Sequence, residues 1–162
     1  MVFGLFGRKQ PLKVVAPMKG EVKPITEVPD PVFAEKMMGD GFCVFPEILS
    51  AAQVVSPVDG EVVNLFPTGH AVGIRTSGGL EVLVHIGIDT VKLQGKGFRI
   101  LVTEGAKVTA GQPLMEVDLT AIQGDVPSLA TTVVFTNLDE KKSWRLERQG
   151  SVEAGDPVAV VE

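Results

Sequence analysis

The 162-residue chain is 44% hydrophobic and 22% charged, which predicts one folded domain with a full apolar core. A formal net charge of -5 argues against nucleic acid as a partner, because phosphates need a basic face, and mildly favours a basic protein partner. No apolar run approaches the roughly 20 residues of a membrane-spanning helix, so membrane contact would be peripheral at most. A single cysteine, Cys43, excludes an internal disulfide, fits a reducing cytoplasm and is interpreted as a small buried apolar residue.

The first residues, Met-Val-Phe-Gly-Leu-Phe-Gly-Arg-Lys, have a basic end but an apolar stretch too short for a signal peptide. We expect residues 1–11 to form a flexible N-terminal tip, with weak contact to anionic lipid as the alternative. Residues 12–162 contain no linker and no low-complexity stretch, so we expect a single domain and a monomer. Met1 favours a free-standing protein over a piece of a longer one.

Short strands separated by tight turns dominate the rest of the chain, as 18 glycines and 11 prolines indicate. Period-2 alternation predicts strands at Lys13–Ala16, Glu21–Pro24, Gly41–Phe45, Gln53–Ser56, Glu61–Phe66, Ala71–Thr76, Glu81–Ile86, Pro113–Asp118, Thr131–Thr136 and Val158–Val161. Helix is scarce: one short turn is predicted after Asp30, with Pro31 at its first position, and another at 118–122. The predicted fold is all-β, a single-domain antiparallel β-sandwich or barrel with very little helix.

Two sequence patterns occur twice. Ala-Pro-Met-Lys-Gly-Glu-Val at 16–22 returns as Ser-Pro-Val-Asp-Gly-Glu-Val at 56–62, each a Pro-x-x-Gly turn leading into a new strand. Glu-Gly-Ala-Lys-Val-Thr-Ala-Gly at 104–111 resembles Gln-Gly-Ser-Val-Glu-Ala-Gly at 149–155. These repeats predict pseudo-duplicated hairpins, and their irregular spacing excludes a solenoid.

The strand that contains His85 is the most informative segment. Every even position from 80 to 88 is aliphatic and is predicted to face the core. His85 therefore lies on the opposite face with Glu81, Leu83 and Gly87. Packing does not explain a histidine in that position, although an unimportant surface histidine remains the alternative.

His70, the second histidine, is ambiguous. Strict alternation places it with Val72 and Ile74, on the core side, whereas a position at the start of the strand would leave it free to turn outward. A turn at 77–79 separates the two histidine strands, so they can pair as antiparallel neighbours and bring the imidazoles together.

Two adjacent imidazoles suit phosphoryl transfer. A neutral ring offers one nitrogen as a nucleophile while the other donates to a carbonyl, and a second ring can bind the phosphoryl oxygens. The Thr68 hydroxyl, two residues before His70, is placed to fix the second ring, and the Gly87 carbonyl is accessible to orient the first. Two alternatives stay open at this point: a zinc enzyme using both histidines and Asp89, and a biotin or lipoyl carrier modified at Lys19.

Several long motifs in the right order carry a resemblance to a known family. Val-His-Ile-Gly-Ile-Asp-Thr-Val at 84–91, continuing to Phe98, resembles the active-site signature of the glucose-family enzyme IIA domain of the phosphoenolpyruvate-dependent sugar phosphotransferase system. The resemblance extends through 28–41, 56–60, 66–71, 117–119 and 134–137, and covers residues 12–162 as one enzyme IIA phosphocarrier domain.

The resemblance implies an antiparallel β-sandwich and a histidine phosphocarrier, a phosphotransferase component that passes through a phosphohistidine. His85 would be phosphorylated on Nε2 and His70 would stabilise the phosphoryl group. Thr68 would orient His70, and the Gly87 carbonyl would orient His85. This favours a functional position for His70.

The resemblance also implies partners. HPr would donate the phosphoryl group and the enzyme IIB domain of a sugar permease would accept it, in the cytoplasm and without a nucleotide or organic cofactor. Zn²⁺ would be held by His70 and His85 only at an interface shared with a partner. A rival reading within the family is a regulatory protein with other targets, and the sequence does not name the sugar.

The implied docking surface is an apolar depression around the histidines with an acidic edge. Asp30 and Asp89 form the edge. The apolar positions are Val32, Phe33, Met37, Met38, Phe66, Leu83 and Val91. Ordinary core is the alternative for Val32, Phe33, Met37 and Met38.

Overall fold

The computed structural model describes residues 10–162, so the expectations for residues 1–9 of the N-terminal tip lie outside the described residues. The strands in this range are β1 Leu12–Val15, β2 Gly20–Pro24, β3 Asp40–Pro46, β4 Ala52–Val55, β5 Gly60–Leu65, β6 Ala71–Arg75, β7 Glu81–His85, β8 Phe98–Ile100, β9 Lys107–Val108, β10 Pro113–Val117, β11 Thr131–Phe135, β12 Trp144–Leu146, β13 Gly150–Val152 and β14 Pro157–Val161. Each of the ten predicted strands is confirmed, with shifts of one residue at the ends. Alternation missed β8, β9, β12 and β13, because strands of two or three residues are too short to show a period.

Two four-residue helices confirm the expectation of little helix. In α1, Pro31–Ala34, the Asp30 side chain accepts a hydrogen bond from the Val32 N–H at 2.8 Å, as predicted for an N-cap followed by proline. In α2, Leu119–Ile122, Asp118 accepts from the Ala121 N–H at 3.0 Å. Short 3₁₀ turns occupy Ile25–Glu27, Thr90–Leu93 and Gln123–Asp125. None of the described helices is long and apolar enough to cross a membrane.

The strands form an antiparallel sandwich. An eight-stranded sheet has the order β13-β2-β3-β11-β7-β6-β5-β9, and two three-stranded sheets have the orders β1-β14-β12 and β4-β10-β8. One hydrophobic cluster joins the inner face of the large sheet to both small sheets. The described sheets are open, so the sandwich is confirmed and the barrel alternative is not.

The predicted duplication is confirmed as a pseudo-two-fold arrangement. The segments β1-β2 and β4-β5, each joined by a Pro-x-x-Gly turn, exchange equivalent backbone bonds: the Val15 N–H donates to the Pro57 carbonyl at 2.9 Å, and the Val55 N–H donates to the Pro17 carbonyl at 2.7 Å. The sheet orders are mirrored about the β11-β7 pair. The half that spans β4 to β10 is therefore inserted, in sequence, between β3 and β11 of the other half.

A second, smaller apolar cluster covers the outer face of the large sheet. It contains Ile25, Val28, Phe33, Cys43, Ile88, Ala130 and Val134. Cys43 is fully buried, as predicted, and burial raises the pKa of its thiol to about 12. The segment between β2 and β3 thus forms a cover over the face on which His85 lies.

The alternation of β7 holds up to residue 86. Leu80, Val82, Val84 and Ile86 belong to the main core, whereas Ile88 packs in the outer cluster. The prediction that Ile88 faces the main core is therefore wrong. Gly87 has a φ of +71°, which ends the extended backbone and turns the chain after β7.

Candidate phosphoryl-transfer site

The two histidines meet where β6 begins and β7 ends. His85 is the last residue of β7 and pairs with Ala71, and the Ile86 N–H donates to the His70 carbonyl at 2.8 Å. The ring centroids of His70 and His85 lie 5.3 Å apart with an interplanar angle of 79°. The structure resolves the ambiguity of His70. This residue precedes β6, and Gly69 before it has a φ of +76°, so the alternation of β6 does not extend to His70. The His70 ring lies beside His85 and not in the core.

The surroundings of His85 favour its neutral form. Its Nδ1–H donates to the Gly87 carbonyl at 2.9 Å, and since a carbonyl can only accept, the proton is on Nδ1 and the lone pair is on Nε2. Burial lowers the pKa of His85 to about 4, and proximity to His70 adds to the effect, while the Gly87 carbonyl and the charges of Asp30 and Asp89 oppose it. The ring is therefore uncharged near neutral pH.

His70 is fixed through its other nitrogen. The Thr68 hydroxyl lies 2.5 Å from His70 Nδ1, which leaves Nε2 as the free nitrogen of that ring. Only 6% of the residue is exposed, and burial lowers the pKa of His70 below its usual value. Both imidazoles are thus oriented through Nδ1, one by a hydroxyl and the other by a carbonyl.

Two aromatic rings flank the imidazoles. The Phe33 ring lies 5.0 Å from His85 and the Phe66 ring lies 5.1 Å from His70, both measured between centroids. Phe33 is buried, so it acts as packing against His85 rather than as an exposed contact residue, whereas Phe66 is 43% exposed. Apolar rings on both sides limit the access of water to the histidines.

The other residues predicted for the docking surface differ in their exposure. Val32, Met37, Met38 and Val91 are exposed, and Leu83 is half-buried next to the outer cluster. Asp30 combines its role as the cap of α1 with a charge that acts on His85. Asp89 adopts a left-handed conformation with a φ of +60° and lies 3.6 Å from the Lys92 ammonium group.

The comparison with known proteins agrees with this geometry. The family model for the phosphoenolpyruvate-dependent sugar phosphotransferase system, EIIA 1, matches residues 12–141. The chain belongs to this family. It is thus an enzyme IIA component of that phosphotransferase system, as the sequence resemblance implied.

Relatives of two architectures are similar to this enzyme IIA. A glucose-specific EIIA component of Staphylococcus epidermidis is 44% identical over 156 residues, covering 94% of this chain and 92% of the relative. A glucose-specific EIICBA component of Staphylococcus carnosus is 49% identical over 148 residues, and a counterpart in Streptococcus pneumoniae is 54% identical over 143 residues. This chain spans only 21% and 19% of the length of those two larger proteins.

A solved structure has the same fold. The glucose permease IIA from Mycoplasma capricolum superposes with a TM-score of 0.87 at 43% sequence identity, covering 94% of this chain and 96% of that one. The enzyme IIA fold is therefore established for the sandwich described above.

Two structural observations bear on the alternatives that the sequence left open. Lys19, the position considered for biotin or lipoyl attachment, lies in the Pro17–Gly20 turn and is paired with Glu47 at 3.1 Å and with Glu153 at 3.8 Å. Among residues 10–162, no three His, Cys, Asp or Glu side chains are placed to hold a metal ion. The two imidazoles supply two of the four ligands that zinc usually takes.

Two threonines near His85 were missed by the sequence reasoning. Thr90 is buried and its hydroxyl donates to the Ile86 carbonyl at 2.5 Å. Thr132 is directly opposite His85 in the β11-β7 register and is fully buried, and its hydroxyl has no hydrogen-bond partner among the described residues. Thr90 lies within the family signature at 84–91, so the sequence resemblance could have pointed to it. The position of Thr132 opposite His85 follows only from strand pairing.

Proposed function

We propose that His85 accepts a phosphoryl group on Nε2 from the phosphohistidine of HPr and passes it to the enzyme IIB domain of a sugar permease. The observation that carries the proposal is the hydrogen bond from His85 Nδ1–H to the Gly87 carbonyl, which directs the lone pair to Nε2. A pKa near 4 keeps that nitrogen unprotonated at neutral pH.

The chemical step is an exchange of one P–N bond for another. The lone pair on His85 Nε2 attacks phosphorus, the P–N bond in the donor breaks, and its electron pair returns to the donor imidazole. In delivery, a nucleophile of the acceptor attacks phosphorus, the P–N bond to His85 breaks, and its electron pair returns to His85 Nε2. No nucleotide or organic cofactor is needed, and catalysis comes from positioning and from stabilising charge on the transferred oxygens.

His70 is suited to hold those oxygens. Its ring centroid lies 5.3 Å from that of His85, and Thr68 engages Nδ1, which leaves Nε2 without that contact. An N–H at that position would donate to a phosphoryl oxygen. The Phe33 and Phe66 rings exclude water, which slows loss of the phosphoryl group by hydrolysis.

The docking of partners would use the exposed apolar rim and its acidic edge. Val32, Phe66 and Val91 are exposed, Phe66 lies against His70, and the charges of Asp30 and Asp89 act on His85. An acidic edge favours capture of a donor with a basic face. The same rim would serve the IIB domain in the cytoplasm, with Zn²⁺ bound by His70 and His85 only where a partner completes the ligand set.

The decisive experiment compares His85→Gln with His70→Gln in labelling from radioactive phosphoenolpyruvate, enzyme I and HPr. His85→Gln should take up no label, because the attacking nitrogen is gone. His70→Gln should still take up label but deliver it to a IIB domain more slowly, by about tenfold or more. Full labelling of His85→Gln would overturn the assignment.

A further inference from the structure

The loop that follows β7 carries the carbonyl that orients His85. Gly87 holds this carbonyl, and glycine is the residue with the greatest backbone freedom, here at a φ of +71°. A rigid acceptor at that position therefore requires contacts that fix the peptide units on both sides of Gly87.

One of these peptide units is fixed by the chain near Ser128. The Gly87 carbonyl and the Ile88 N–H belong to the same planar unit and point in opposite directions. The Ile88 N–H donates to the Ser128 carbonyl at 2.9 Å while the Gly87 carbonyl accepts from His85. That unit is held at both ends.

The other unit, between Ile86 and Gly87, is fixed by Thr90. The Thr90 hydroxyl donates to the Ile86 carbonyl at 2.5 Å, and only 1% of Thr90 is exposed. On its other side, the Ile86 N–H donates to the His70 carbonyl. Through these two hydrogen bonds, Ile86 links the backbone of His70 to the hydroxyl of Thr90.

The methyl group of Thr90 also fits against Gly87. A Cβ built at Gly87 would lie 2.6 Å from Thr90 Cγ2, so the methyl group packs where a side chain at position 87 would start. Thr90 in turn begins the 3₁₀ turn Thr90–Leu93. The hydroxyl and the methyl group therefore act on the two neighbouring residues whose conformation decides where the Gly87 carbonyl points.

We propose that Thr90 is a positioning residue for phosphoryl transfer, whose hydroxyl holds the Ile86-Gly87 peptide so that the Gly87 carbonyl keeps the proton of His85 on Nδ1. This inference rests on the proposed role of His85. Without the hydroxyl, the carbonyl of Gly87 moves away from Nδ1, the proton distributes between the two ring nitrogens, and the fraction of His85 with a free Nε2 falls.

The test uses two variants, each of which removes one of the two groups on the Thr90 side chain. Thr90→Val keeps the branched shape and removes the hydroxyl, whereas Thr90→Ser keeps the hydroxyl and removes the methyl group. Thr131→Val is the matched control. Thr131 is fully buried, and its hydroxyl also donates to a backbone carbonyl, that of Leu129, at 3.1 Å. That carbonyl is not in the loop that carries the Gly87 acceptor.

The first measurement is the tautomer of His85 from the nitrogen NMR shifts of its ring, which needs no phosphoryl donor. We expect the Nδ1–H form in the unmodified protein, in Thr90→Ser and in Thr131→Val, and a mixture in Thr90→Val. The rate of labelling by phospho-HPr should fall about tenfold in Thr90→Val and stay within about twofold in the other two.

The proposal is overturned if Thr90→Val keeps the tautomer and rate of the unmodified protein, if Thr90→Ser is impaired as much as Thr90→Val, or if Thr131→Val shifts the tautomer equally. Should Thr90→Val not fold, Thr90→Cys offers a small side chain with a much weaker donor and should shift the tautomer in the same direction. Failure of the unmodified protein to take up label would overturn the proposed function, while the tautomer measurement would still decide the role of Thr90.

Discussion

The two halves of the sandwich have the same strand arrangement but different residues at equivalent positions. Val22 pairs with Val44 in the half built from β1 to β3 and β11 to β14, and Val62 pairs with Ile74 in the inserted half. Counting along the paired strands from these positions makes Asp40 the equivalent of His70, and Val134 the equivalent of His85. Both histidines are thus in the inserted half.

The equivalent position in the other half serves stability. Asp40 accepts a hydrogen bond from the Trp144 indole N–H at 2.9 Å, and the Trp144 ring lies 5.3 Å from that of Phe135. Val134 is buried in the outer cluster. A duplicated frame can therefore use one copy of a position for a reactive pair and the other for packing.

The connections before β3 and β6 explain part of the difference. The connection from 66 to 70 is a short turn that presents Thr68 and His70, whereas the much longer connection from 25 to 39 folds over the outer face. That longer connection places Phe33 against His85 across the pseudo-two-fold axis. The inserted half supplies the imidazoles and Phe66, and the other half adds Phe33 to their apolar cover.

The largest effect that would test this division of roles between the two halves is a change in the free energy of unfolding. Trp144→Ala should lower the free energy of unfolding by about 3 kcal/mol, because it removes packing against Phe135 and the indole N–H that donates to Asp40 Oδ2. Labelling of His85 should be unchanged. Urea unfolding and the labelling assay measure the two effects, and Trp144→Phe, which keeps a ring, should lose less stability. A folded Trp144→Ala protein that takes up no label would show that the halves do not divide the roles.

The pH dependence of the free energy of unfolding should distinguish the position of His85, which titrates, from the equivalent position of Val134, which does not. Because the folded protein holds the pKa of His85 near 4 and the unfolded chain restores a value near 6.5, the unfolded state binds the proton more readily between these values. Stability should therefore be full above pH 6.5 and fall by up to about 3 kcal/mol as the pH drops towards 4.

The measurement is urea unfolding of the unmodified protein and of His85→Gln at several pH values in this window. Carboxylates contribute to both proteins, so the difference between the two curves isolates His85. Parallel curves would contradict a depressed pKa.

A smaller effect is expected at the acidic edge. Asp30→Asn removes the charge but keeps a side-chain oxygen that can accept from the Val32 N–H, so α1 should remain capped. We expect about threefold weaker capture of phospho-HPr at low salt and little change at high salt. Labelling rates measured against the HPr concentration give the result. Asp118→Asn, which alters the equivalent cap of α2, is the control and should have no effect. Equal effects of both variants would remove the acidic edge from the proposal.

Much of the fold was predictable from local pattern. Alternation placed Val82, Val84 and Ile86 in the core and His85 on the opposite face, because a strand buried on one side repeats every two residues. The repeated Pro-x-x-Gly turns predicted the duplication, and Asp30 with Pro31 predicted α1. Alternation could not place His70, since Gly69 interrupts the extended backbone immediately before it.

The sequence by itself determined ten of the fourteen described strands, the duplicated turns and the residues with the right chemistry, because period, turn and capping preferences act over a few neighbouring residues. The tertiary structure alone decided that Phe33 covers His85, that Thr132 lies opposite it, and that Thr90 braces the loop holding its hydrogen-bond acceptor. These contacts depend on strand register, on one half being inserted into the other, and on the backbone path after Gly87, none of which is encoded in any short stretch of the chain.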